Sequence, residues 1–97
     1  MSHKIESSYF GGLRVSSTHV ASNTEIITDA PVDNNGKGES FSPTDLVATA
    51  LGTCMITVMR IYAEKNGILM PNVYSRTNKV MSSSPRKISK LKIQINF

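Results

Sequence analysis

The sequence predicts one α+β domain in which an antiparallel-rich sheet packs on a long central helix. Three observations predict it: two extended segments meeting at Gly11-Gly12, a capped amphipathic stretch opening at Ser42-Pro43, and a last segment alternating apolar and polar residues to Phe97. With 97 residues there is room for one domain. Hydrophobic residues make up 39%, a level at which a folded core is expected rather than disorder. A chain of this size buries a modest share of its surface, so partner chains matter to its stability.

Residues 4 to 10 and 13 to 20 read as two strands of a hairpin, because Gly-Gly accepts positive φ at the turn without steric cost. Glu25-Ile26-Ile27-Thr28-Asp29 is β-branched and predicts a third strand, with Ser22-Asn23 as the preceding turn and Pro31 as its stop. The stretch from Asp33 to Glu39 is polar, glycine-containing and aperiodic, and predicts a loop.

The helix is predicted over residues 43–65. Ser42 supplies an N-cap, Pro43 a first helical position that lacks an N–H anyway, and Asp45 an acid in the first turn. An apolar stripe follows through Leu46, Ala50, Cys54, Val58 and Ile61, widened by Val47, Leu51, Met55 and Tyr62. Thr49, Thr53, Thr57, Arg60 and Glu64 form the opposite, polar edge. Asn66-Gly67 ends the helix, giving about 23 residues and roughly 34 Å. Gly52 lies inside it beside Ala48 and Ala50, where close packing explains a glycine better than space for a substrate does.

Val73 to Met81 predicts a further strand and Ser82-Ser83-Ser84-Pro85 a turn. The last strand sets Leu91, Ile93, Ile95 and Phe97 on one face and Lys90, Lys92, Gln94 and Asn96 on the other. With nothing after Phe97 to cover that apolar face, further sequence or a partner chain is expected to do so.

Several function classes find no support. No continuous apolar run reaches the roughly 18 residues of a membrane span, and the first residues lack the apolar stretch of a signal peptide. A single cysteine excludes an intrachain disulfide scaffold, and a cytoplasmic location is expected. One cysteine with His3 and His19 has no metal-ligand spacing, and Gly36-Lys37-Gly38 is too short for a phosphate loop. No metal and no cofactor are expected. The net charge of +4 concentrates at Arg86, Lys87, Lys90 and Lys92, but aromatic residues do not interleave with these cations. A solvated strand face is the expectation there, and no nucleic-acid partner.

This leaves Cys54. A lone cysteine on an apolar helix face serves most often as a small hydrophobe. To act as a nucleophile it must ionise, which needs a cation nearby because the helix N-terminus is about three turns away. Arg14, Arg60 and Arg76 are the arginines outside the basic C-terminal segment, and spacing does not choose among them.

From Phe41-Ser42-Pro43-Thr44-Asp45-Leu46 through Ala50-Leu51-Gly52-Thr53-Cys54 the chain closely resembles the OsmC/Ohr family of osmotically induced and organic-hydroperoxide-resistance proteins. Tyr9-Phe10-Gly11-Gly12-Leu13-Arg14, Thr28-Asp29-Ala30-Pro31-Val32-Asp33 and Gly36-Lys37-Gly38-Glu39 extend the resemblance toward an OsmC-like subgroup over nearly the whole chain. The resemblance implies an intertwined homodimer, oxidative and osmotic stress defence, and a thiol-dependent peroxidase that reduces organic hydroperoxides. It implies Cys54 as nucleophile and Arg14 as its thiolate partner. Leu51, Met55, Met59 and Tyr62 would form the apolar wall for the hydroperoxide, and a dithiol would serve as reductant. Against the family pattern the chain has Thr44, not glutamate, after the helix-opening proline, and no second cysteine to resolve a sulfenic acid. The resemblance implies a single OsmC-like domain over residues 1–97 that lacks the family's C-terminal second helix and last strand. The alternative function is a non-catalytic relative that binds a small apolar ligand or acts as a dimeric scaffold, with a buried, inert cysteine.

Overall fold

A computed structural model describes residues 2–97 as α+β, in two compact units that meet in sequence at Thr44 and Asp45. The first unit is an antiparallel meander of β1 (Ile5–Gly11), β2 (Arg14–His19) and β3 (Thr24–Asp29), in the order β1-β2-β3. Its first turn follows from backbone sterics. Gly11, Gly12 and Leu13 all have positive φ, at 102°, 64° and 60°, and the register slips between Tyr9 and Gly11. Two glycines make that path affordable to the backbone, and Leu13 is carried along as the single residue with a side-chain penalty. Asn23, at φ 59°, performs the tight reversal between β2 and β3, a conformation asparagine tolerates better than most residues.

Beyond β3 the chain does not wander as a plain loop. A short 3-10 turn, Val32–Asn34, follows Pro31, and the backbone folds back on itself. The N–H groups of Asn34 and Gly36 both donate to the Pro31 carbonyl at 2.9 Å, and Gly38 donates to the carbonyl of Ala30 at 3.2 Å.

The second unit contains most of the helix, α1 (Pro43–Lys65), and a hairpin of β4 (Tyr74–Ser82) and β5 (Lys87–Asn96). The helix ends as its sequence predicts: Gly67 takes φ 63° and Ile68 N–H donates to the Ala63 carbonyl at 2.9 Å. This is the six-to-one bond of a glycine-terminated helix.

Which face of α1 is covered differs from the predicted stripe. The shielded positions are Ala48, Gly52 and Ala63, with Ile56 and Met59 half-buried between them. Their spacing follows the helical period, so they form one face. Against it lies the inner face of the hairpin: a Cβ placed on Gly52 would stand 3.0 Å from Thr77 Oγ1 and 3.9 Å from Ser75 Oγ. Lys79 of the same strand face reaches Asp45 at 2.8 Å. The broad stripe of Val47, Leu51, Cys54, Met55, Val58, Ile61 and Tyr62 is exposed instead. Small residues win the contact because they let a helix and a two-stranded ribbon approach closely. The larger residues outnumber what one ribbon can cover. Gly52→Leu is therefore expected to destabilise the fold by about 1–3 kcal/mol, read as a lower denaturation midpoint, because the added side chain has no room against Thr77.

β5 keeps the predicted alternation at Leu91, Ile93 and Ile95, which are half-buried on the inner face. Phe97 departs from it. It lies past the end of the strand and is 68% exposed. A second correction concerns hydrophobic length: α1 as a whole is long and apolar enough by composition to cross a membrane, although threonines interrupt its apolar run.

Candidate functional site

Cys54 lies midway along α1, free and exposed, and not buried as the non-catalytic alternative expected, because the hairpin covers the helix face of Ala48 and Gly52 instead. Leu51 precedes it by three residues and Val58 follows by four, so the three share one surface of the helix. All three are exposed, as are Met55 and Ile61. The threonines beside this surface turn inward on their own helix. Thr49 Oγ1 donates to the Asp45 carbonyl at 2.8 Å, Thr53 to the Thr49 carbonyl at 2.9 Å, and Thr57 to the Thr53 carbonyl at 2.8 Å. Their hydroxyl protons are spent within the helix, as is usual for threonine in mid-helix. The face around the thiol therefore presents methyl groups and hydrocarbon.

One turn and more beyond Cys54, this surface opens into an apolar groove of about 520 Å³. The last turns of α1 supply Val58, Met59, Tyr62 and Ala63 to one wall, and the segment Ile68–Pro71, with Phe97, supplies the other. The groove exists because Gly67 reverses the chain and sends Ile68 back over Ala63, the apolar contact that commonly accompanies this kind of helix ending. Arg60 steadies the returning segment by donating from Nη1 to the Met70 carbonyl at 3.0 Å, while its Nε meets Glu64 Oε1 at 3.2 Å. The volume falls within the range of small-molecule sites, and the lining is almost wholly hydrocarbon and thioether. Of the four residues expected as an apolar wall, Met59 and Tyr62 line this groove. Leu51 and Met55 do not; they stand on the open helix surface on either side of Cys54 in sequence. Ile68, Leu69, Met70 and Pro71 were not expected there, and their only signal was an apolar run directly after the terminating glycine.

Arg14 belongs to the first unit and has two acidic partners. In the β2–β3 register it stands opposite Asp29, whose side chain is fully buried. Arg14 Nη2 lies 3.3 Å from Asp29 Oδ2 and 3.5 Å from Glu39 Oε2. The N–H of Glu39 donates to the same Asp29 oxygen at 3.0 Å. That amide holds the Asp29 carboxyl below the usual carboxylate range; burial pulls the other way, and the Arg14 guanidinium adds to the lowering. A buried carboxylate thus ties β2, β3 and the loop through Glu39 into one hub. The role of Asp29 was not read from the sequence, where it appeared as the last residue of a β-branched run and within the segment 28–33 of the resemblance.

Among the described residues, no group of three or more histidine, cysteine, aspartate or glutamate side chains is placed to hold a metal ion. No protein-family model matches the chain, and no curated protein matches it. A solved structure does: a protein from Psychrobacter arcticus 273-4, provisionally described as an osmotic stress induced and detoxification response protein. It is 49% identical over 94% of this chain, with a TM-score of 0.88, and the chain spans 66% of that protein's length. Identity of this order across nearly every residue, joined to the same fold and to the Ser-Pro-opened helix that carries Cys54, is consistent with the OsmC/Ohr family.

Proposed function

We propose that the protein acts in detoxification as a thiol-dependent reductant of organic hydroperoxides, with Cys54 as the nucleophile. The single observation that carries this reading is an exposed thiol on a hydrocarbon-lined helix face that runs on into an apolar groove. An alkyl or aryl hydroperoxide is an apolar body with one polar, reactive end, and such a surface suits it. The thiolate sulfur attacks the distal oxygen, and the O–O bond breaks. The leaving alkoxide takes a proton and departs as the alcohol, while the sulfur is oxidised to a sulfenic acid. A dithiol reductant then restores the thiol, forming a mixed disulfide and releasing water before its second sulfur closes its own disulfide.

The same reading includes a homodimer in the cytoplasm. Its support is the thinness of the core: Ala48 and Ala63 are the buried hydrophobic residues, while most large apolar side chains of the described residues are exposed. A surface of this kind marks an interface in a stable protein. We read the apolar helix as a packing element that a partner covers, and not as a membrane span.

A second reading has its own observation. Arg14 is engaged by two carboxylates, so its charge is already compensated within its own unit. On that footing the groove serves as a non-catalytic binding site for a small apolar ligand, and Cys54 is inert.

The test is intact-mass analysis of the reduced protein after brief exposure to cumene hydroperoxide with a sulfenic-acid trap present. One trapped oxidation per chain, absent from Cys54→Ser and slower with hydrogen peroxide, is the expected result. An untouched thiol, under conditions that oxidise a free cysteine, leaves the ligand-binding reading in place.

A further inference from the structure

From Asn66 to Phe97 the chain carries six lysine and arginine residues and no aspartate or glutamate, whereas all seven acids lie before it. The fold sorts these cations. Lys79 is on the inner face of the hairpin, where it meets Asp45. Arg76, Lys87, Lys90 and Lys92 are on the outer face and exposed. In the register of β4 and β5, Arg76 stands opposite Gln94, Asn78 opposite Lys92, and Val80 opposite Lys90. Across these pairs the outer face is therefore a strip of cations and amides with Val80 as its one aliphatic member, and no carboxylate interrupts it. Lys90 and Lys92 are successive outward positions, about 6.6–6.8 Å apart along the strand.

We propose that this outer face binds single-stranded nucleic acid through its phosphates. Composition alone gave no reason to expect such a partner, since the basic residues were not interleaved with aromatics; the reason to revise is their collection on one acid-free face. A line of cations with amide donors between them complements a line of phosphates, each of which accepts hydrogen bonds as well as charge. An anionic bilayer fits less well. Surface-bound elements insert apolar side chains among the headgroups, and the outward aliphatic residue of these strands is Val80, flanked by amides and lysines. Arg76 is braced by Tyr74, donating to its hydroxyl at 3.0 Å, with the guanidinium carbon 6.0 Å from the ring centre. That leaves one end of the strip with a rigid planar cation beside an aromatic face, a pairing that suits an unstacked base next to its phosphate. The inference is independent of the peroxide chemistry.

The experiment is fluorescence anisotropy with a labelled oligothymidylate of about a dozen nucleotides, titrated with the full protein at about 50 mM salt and above. Three or four phosphate contacts predict a log–log salt slope of about −2 to −3. Lys90→Gln/Lys92→Gln is expected to weaken binding by about ten-fold at an unchanged melting midpoint. Lys90→Arg/Lys92→Arg should keep it, and Lys4→Gln/Lys65→Gln, which removes the same charge elsewhere, should change it by less than about two-fold. Equal losses for the two glutamine pairs would overturn the proposal, since net charge alone would then explain binding. So would capture by phosphatidylserine vesicles of protein that leaves the oligonucleotide unbound, or no anisotropy change at all.

Discussion

Gly36→Ala is expected to lower the melting midpoint by on the order of 10 °C. A Cβ at Gly36 would overlap the backbone carbonyl of Ala30 and also meet the Ala30 side chain. Backbone does not yield as a flexible side-chain tip would, so the alanine variant must open the turn that binds Gly36 N–H to the Pro31 carbonyl. That turn lies between β3 and Glu39, and Glu39 supplies the N–H that satisfies Asp29. The damage should therefore reach the buried carboxylate and exceed a local loop effect. Gly12→Ala provides the comparison. Nothing lies within 4 Å of a Cβ there, but φ is 64°, so the cost is the left-handed penalty alone, about 1 kcal/mol. A thermal melt of both variants distinguishes steric from conformational cost. Equal midpoints for Gly36→Ala and the parent protein would mean that the turn is not packed against Ala30 as described.

The second large effect concerns acid. Asp29 titrates below its ordinary value in the folded chain because the Glu39 N–H and Arg14 favour its charged form. A depressed carboxylate contributes stability that is fully present above its unfolded pKa of about 3.9 and is lost as pH falls through the folded value. The parent protein should thus lose stability steeply below about pH 4, and Asp29→Asn should lack this component of the slope. At neutral pH the same substitution should cost a midpoint shift of several degrees, on the order of 10 °C at most, because Arg14 loses its buried partner and retains only exposed Glu39. Arg14→Ala should move the acid transition upward, since Asp29 then keeps its burial without its cation. Denaturation midpoints followed from pH 7 to about pH 2.5 separate these cases. Superimposable pH profiles for the parent and Asp29→Asn would show that the hub contributes nothing to acid stability.

Much of this architecture was legible because it rests on local rules. The Gly11-Gly12 turn, the Ser42-Pro43 opening, the Gly67 stop and the alternation in β5 each express backbone sterics or a strict period, and each appears within a residue or so of its expected place. The covered face of α1 was misjudged for a different reason. Periodicity shows which residues are apolar but not which apolar face a given neighbour takes. Here close approach to Thr77 takes Gly52, and Ala48 and Ala63 on the same face are covered with it in place of the larger stripe. The site was legible where motif and helix coincide, at Cys54. The groove was only half legible, because Ile68–Pro71 reach Tyr62 through a chain reversal that no helical period encodes. The Arg14–Asp29–Glu39 hub joins positions 15 and 10 residues apart through strand register and a folded loop, which sequence spacing does not reveal.

The covered face of α1 also divides labour along one helix. Residues that hold it to the hairpin are not those that surround the thiol, so the two sets can be changed independently. Leu51, Met55 and Val58 can be exchanged without disturbing the contact at Gly52, because they lie off the face that meets Thr77. The surroundings of the thiol can thus be altered at little risk to the folding of the individual chain.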